Sequence, residues 1–145
     1  MTRARQLNAI LVPVDFSPGS LRALEMAVTL RPPEGEVTAL HVIDTDLAAR
    51  VDKLGLGTYA EAVAKMRARA EEERVWLSKD KGAEIELMVV EGIPFVEILK
   101  IATDLDVDLI AIGSSGTSAT LKDLLFGGTA EKVLRAAPCA VLCVP

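Results

Sequence analysis

Apolar residues recur in five short runs along this chain, each bounded by turn-forming residues. Between the runs lie longer stretches with apolar positions three and four apart. Residues 8–14, Asn-Ala-Ile-Leu-Val-Pro-Val, are the first run. A short continuous apolar run predicts a strand buried on both faces. Pro13 cannot donate to a ladder, which puts it near the strand's C-terminal end. Ser17 and Pro18 then supply an N-cap and a proline at the first helical position. The helix they open runs to about residue 30, with Leu21, Leu24, Ala27 and Val28 on one face, until Pro32, Pro33 and Gly35 stop it.

The same reading continues along the chain. Residues 37–43 are a second strand, and residues 44–57 read as a longer mixed connection with Gly55 and Gly57 near its end. Thr58 caps the longest helix, which runs to about residue 79 before Lys81 and Gly82. Tyr59, Val63, Met66, Ala70 and Leu77 mark its packing face, and its charged remainder reads as a solvated face. Residues 85–90 are a third strand. A turn through Gly92 and Pro94 leads to a helix over 95–105 that packs through Val96, Ile98, Leu99 and Ala102. Residues 109–112 are a fourth strand, 129–136 a last helix closed by Pro138, and 139–144 a fifth strand.

Strand and helix alternate throughout, with no linker, repeat or low-complexity segment. That pattern predicts one α/β domain over residues 1–145, a mainly parallel sheet with helices on both faces and right-handed crossovers. In such sheets a ligand binds beyond the carboxyl ends of the strands, where the winding reverses. Two loops compete for that place: Asp15-Phe16-Ser17 after the first strand, and a glycine-rich loop after the fourth.

The glycine loop holds the densest candidate chemistry. It begins at Gly113-Ser114-Ser115-Gly116-Thr117-Ser118, includes Thr120, and ends at Gly127-Gly128-Thr129, where the last helix opens. Strand, glycine loop and helix start together suit a phosphate. Glycines let the backbone come close, the first N–H groups of the helix face an anion, and hydroxyls add donors. On local residues alone, a merely polar surface loop is an equal reading.

Composition narrows the classes. Half of the 145 residues are apolar and only 3% aromatic, so the core is aliphatic. A net charge of −5 excludes non-specific nucleic-acid binding and gives no attraction to an anionic membrane. The basic start is followed by no signal-type apolar region, and 10–14 is too short to span a bilayer, so a cytoplasmic protein is expected. Cys139 and Cys143, four apart on a strand, would sit ~13 Å apart, too far for a disulfide. With His41 as the only histidine, they read as buried thiols, His41 as a strand-packing residue, and no metal site is expected.

Taken together, these stretches resemble the universal stress protein family over nearly the whole length. The resemblance is carried by Ile10-Leu11-Val12-Pro13-Val14-Asp15-Phe16-Ser17, Leu40-His41-Val42-Ile43, Gly92-Ile93-Pro94 and Asp108-Leu109-Ile110-Ala111-Ile112-Gly113-Ser114-Ser115-Gly116. Gly127-Gly128-Thr129-Ala130-Glu131-Lys132-Val133-Leu134 and Ala137-Pro138-Cys139-Ala140-Val141-Leu142 complete it. It implies a Rossmann-like three-layer fold of the adenine nucleotide alpha hydrolase type, with a five-stranded parallel sheet in the order 3-2-1-4-5. The switch point then falls between the first and fourth strands.

The family has ATP-binding and non-binding branches, and this chain is closer to the first. Binders share Gly, two residues, Gly, nine residues, Gly, then Ser or Thr. Gly113 and Gly116 match, but ten residues separate Gly116 from Gly127, and Gly128 stands where the hydroxyl is expected. Thr129 is the nearest replacement. By resemblance, Asp15 with Pro13 contacts the ribose or adenine side, Val42 or Ile43 lines the adenine slot, and Gly113, Ser114, Gly116, Gly127, Gly128 and Thr129 hold the phosphates. The implied cofactor is ATP, ADP or AMP, with or without magnesium. The implied assembly is a homodimer through residues 139–144, an apolar edge strand of the kind that invites pairing. A stress-response dimer that binds no nucleotide is the alternative. Catalysis is not expected beyond slow ATP hydrolysis. A Walker lysine is absent, and a lone histidine pairs with no nucleophile and orienting group.

Overall fold

The computed structural model describes residues 6–80, 85–114 and 128–145. Its elements follow the alternation of the sequence: β1 (Ala9–Pro13), α1 (Pro18–Leu30), β2 (Glu36–Asp44), α2 (Thr45–Lys53), α3 (Tyr59–Asp80), β3 (Glu86–Gly92), α4 (Pro94–Asp104), β4 (Leu109–Gly113), α5 (Thr129–Ala136) and β5 (Ala140–Val144). The five strands form one parallel sheet in the order β3-β2-β1-β4-β5. This is the Rossmann-like α/β order expected from the sequence. β1 lies at the centre and the winding reverses between it and β4.

Alternation along the strands divides the core in two. On one face Ile10, Val12, Val37, Ala39, Leu109 and Ala111 pack against Ala23, Leu24 and Ala27 of α1 and Ala70 and Leu77 of α3. On the other face Leu11, Leu40, Ile110 and Ile112 pack against Ile98 and Ala102 of α4 and Val133 of α5. Nearly every member is an aliphatic residue or alanine, as the scarcity of aromatics requires. Pro13 ends β1, opposite Leu40, and the next N–H, of Val14, donates to the Leu40 carbonyl at 2.8 Å. The imino residue therefore sits where the ladder is ending. At the other end of β1, the Asp108 carboxylate accepts from the Asn8 and Ala9 amides, each at 3.1 Å.

Three expectations need correction. Residues 45–53 are helical, not an irregular connection. Asp44 caps them, its Oδ1 accepting from the Asp46 and Leu47 amides at 3.0 and 3.1 Å. Only Ala48 of α2 is fully buried. Val96 of α4 and Tyr59 of α3 are exposed rather than packed, while Ala62 takes a buried place on α3. Cys143 is exposed and Cys139 half-buried, and neither is in a disulfide; among the described residues no strand pairs with the outer side of β5. The expected stop of α3 at Lys81-Gly82 lies outside the described residues.

Candidate functional site

In a parallel sheet, each helix that follows a strand starts at the sheet's carboxyl edge. Here α1, α2, α4 and α5 all do, with their positive ends toward one region. Between them lies a cavity of about 610 Å³, over the ends of β1, β2 and β4. This is the size and place of a ligand cleft in a doubly wound sheet.

The corner after β1 is tightly constructed. Asp15 turns its Oδ1 back to accept from the Ser17 amide at 3.0 Å, and the Ser17 hydroxyl donates to the same oxygen. The Ser20 amide donates to Ser17 Oγ at 3.3 Å, which makes Ser17 the N-cap of α1 as its type suggests. Ser20 Oγ donates to the Ser17 carbonyl at 3.0 Å and accepts from the Asp15 amide at 3.3 Å. Both hydroxyls are buried. Between Asp15 and Ser17, Phe16 takes φ 63°, a left-handed conformation that costs a bulky residue roughly 1–3 kcal/mol. Its buried ring lies 4.8 Å from that of His41, holding the turn in place.

His41 sits near the carboxyl end of β2. Its Nδ1 is 2.8 Å from the Val14 carbonyl, which can only accept, so Nδ1 carries the proton. Burial lowers its pKa below the ordinary 6.5. Arg69 adds to that, while the Val14 hydrogen bond and Asp15 oppose it. The ring is therefore neutral at pH 7.

Ser17 caps α1 and Asp44 caps α2, whereas the starts of α4, with Ile93 at its N-cap, and of α5, with Gly128, have no side-chain cap among the described residues. Gly128, Thr129 and Ala130 all line the cavity. Gly113 has a second reason to be glycine. A Cβ there would lie 2.9 Å from both the Gly19 carbonyl carbon and the Ser20 nitrogen, so α1 can cross the end of β4 only without it. The Ser114 amide is committed to the Val144 carbonyl at 2.8 Å, which leaves its hydroxyl as the group free to face a ligand.

Of the residues singled out from the sequence, Pro13, Asp15, Val42, Gly113, Ser114, Gly128 and Thr129 come together on this cavity. The Ile43 side chain is fully buried and is not part of the lining. Gly116 and Gly127, with Ser115, Thr117, Ser118 and Thr120, lie outside the described residues. Sequence reasoning missed Asp44, Leu47 and Arg50 of the α2 side, Met66 and Arg69 of α3, and His41 as a lining residue. The position of His41 near the carboxyl end of a central strand was the available signal. For Arg50 there was none without α2. Among the described residues no group of three or more His, Cys, Asp or Glu is arranged to hold a metal ion. No described helix is long and apolar enough to cross a membrane.

An open parallel sheet with its cleft at the switch point defines an α/β protein of the Rossmann-like class. Comparison with known proteins narrows this further. The model of the universal stress protein family matches residues 7–145, and the chain belongs to that family. It is 32% identical to universal stress protein MJ0531 of Methanocaldococcus jannaschii over 145 residues, covering 93% of this chain and 80% of that protein. It is 30% identical to universal stress protein YxiE of Bacillus subtilis, covering 94% of this chain and 98% of the relative. The solved structure of M. jannaschii protein MJ0577 superposes with a TM-score of 0.81 at 31% identity, over 97% of this chain and 96% of that one.

Proposed function

We propose that this chain binds an adenine nucleotide (ATP, or its ADP and AMP forms, with or without magnesium) and serves as a homodimeric regulatory module of the stress response. The observation that carries the reading is the uncapped start of α5, opening on a cavity at the switch point beside Gly113 and Ser114. Unpaired amides at a helix start favour an anion, and the glycine at the cap leaves room for one. In this reading the phosphates lie over Gly113, Ser114, Gly128 and Thr129, with Gly116 and Gly127 contributing backbone. Asp15, Pro13 and Val42 face the ribose and base. Family membership and the Gly113–Gly116 spacing support it.

A second reading, a universal stress protein dimer that binds no nucleotide, is favoured by Gly128 and the longer loop, which remove a hydroxyl from the expected phosphate site. In both readings the dimer forms through the edge strand β5, whose outer side pairs with no strand among the described residues. The test is to denature freshly purified protein and identify any released nucleotide by chromatography and mass spectrometry, then titrate ATP by calorimetry. Stoichiometric adenine nucleotide or measurable heat supports the first reading. The absence of both overturns it in favour of the second. A monomeric mass by light scattering at micromolar concentration removes the dimer from either.

A further inference from the structure

We propose that His41 is a specificity-determining residue of the cleft, its Nε2 accepting a hydrogen bond from an N–H or O–H group of the bound nucleotide. This rests on the nucleotide reading above and goes beyond it, since it says which feature of the ligand is read on the β2 side. The argument begins with the two ring nitrogens. Nδ1 is spent on the Val14 carbonyl at 2.8 Å, an acceptor that fixes the proton there. In the neutral ring Nε2 is then an acceptor. Among the described residues it has no hydrogen-bond partner, yet no described side-chain nitrogen or oxygen is both buried and unpaired. Nε2 is therefore open, and His41 is among the residues that line the cavity.

The ring is also fixed in place. The hydrogen bond anchors one edge, and Phe16 packs against the face with 33° between the ring planes. The ionisable neighbours that line the same cleft are Asp15 from the corner after β1, Asp44 and Arg50 from the α2 side, and Arg69 from α3. Desolvation and Arg69 keep the ring neutral, the state in which Nε2 accepts, while Asp15 pulls the other way. Protonation would turn the acceptor into a donor and reverse its preference.

A donor on an adenine nucleotide comes from two places, the exocyclic amino group of the base or a ribose hydroxyl. Inosine triphosphate removes the first and puts a carbonyl in its place. The 2′- and 3′-deoxy forms of ATP remove the second. Affinities for all four are measured by calorimetry with the full chain, between about pH 5 and pH 8. The phosphate chains ionise alike, so ratios of affinity cancel their titration. The expected result is that ATP binds about tenfold more tightly than one of these analogues near pH 8, the loss of one well-placed hydrogen bond. That ratio collapses below pH 6.5, and for the inosine analogue it falls toward or past unity.

In His41→Asn, which keeps an amide donor for Val14 but has no Nε2, the ratio is near one at every pH. If that variant does not fold, the pH series on the natural chain decides alone. Equal affinities for all four nucleotides overturn the inference while leaving nucleotide binding intact. A preference that persists in His41→Asn, or one that does not change with pH, also overturns it. No binding of any nucleotide removes this inference together with the reading on which it rests.

Discussion

Replacing Gly113 with alanine tests how the cleft is assembled. The added Cβ would stand 2.9 Å from the Gly19 carbonyl carbon and the Ser20 nitrogen, and 3.2 Å from the Gly19 oxygen. All three are backbone atoms of the α1 start, so no side chain can rotate aside. Ordinary contact begins near 3.4 Å, so α1 and β4 must separate by about half an ångström. Overpacking of this kind costs about 1–3 kcal/mol. With a urea m-value of about 2 kcal/mol per molar, the unfolding midpoint should fall by about 0.5–1.5 M. The displaced turn carries Ser17 and Ser20, which hold Asp15, so any nucleotide affinity should fall as well. Gly128→Ala is the comparison. A Cβ there meets nothing within 4 Å, so only the poorer N-cap is felt and its midpoint should fall less than that of Gly113→Ala. Urea titration followed by far-ultraviolet circular dichroism reads both. An unchanged midpoint for Gly113→Ala would refute the close-packing argument and leave Gly113 as a loop residue like any other.

Two further perturbations separate local effects from global ones. Asp44→Ala removes the carboxylate that caps α2 and should cost about 0.5–2 kcal/mol, with hydrogen exchange rising in residues 45–53 before the sheet opens; uniform exchange across the chain would contradict a cap that acts on α2 alone. Stability should also depend on His41. Its folded pKa lies below the ordinary 6.5, so the unfolded chain binds its proton more readily and stability rises with pH in this range. The contribution is complete above pH 6.5 and is lost as pH falls through that value toward the folded pKa. His41→Asn should flatten the profile between pH 7.5 and 5.5, and an identical slope in the variant would refute the assignment.

The sheet was the most legible part of the sequence. Five apolar runs between turn residues identify the strands, and Ser17, Pro18, Thr58 and Pro138 mark helix ends within a residue or two. Strand order came from the resemblance, since a run of apolar residues does not say which neighbour it meets. α2 stayed hidden because its residues are largely polar and it follows β2 without an intervening turn, Asp44 being both the last residue of the strand and the cap of the helix. Asp15, Gly113 and Gly128 were legible as site residues by type and position. The two reasons for Gly113 were not, because the approach of α1 across β4 joins segments about ninety residues apart. That His41, read as a packing residue, also lines the cleft was hidden for the same reason. Its anchoring carbonyl, Val14, and its charged neighbour, Arg69, are far away along the chain.

The central place of β1 bears on how the chain is made. A nascent chain leaving the ribosome offers β1, β2 and β3 first, and these can pair in that order. The second edge of β1 has no partner until residues 109–113 emerge. α1, though made second, crosses β4 and must wait for it too. Synthesis therefore passes through a half-sheet with its most apolar strand exposed along one side, the kind of surface that holdase chaperones bind. That side is closed only when β4 inserts and Asp108 reaches the Asn8 and Ala9 amides, with α5 and β5 still to follow. Truncations that stop short of β4 should be captured in cells as aggregates or chaperone complexes, whatever ligand is supplied.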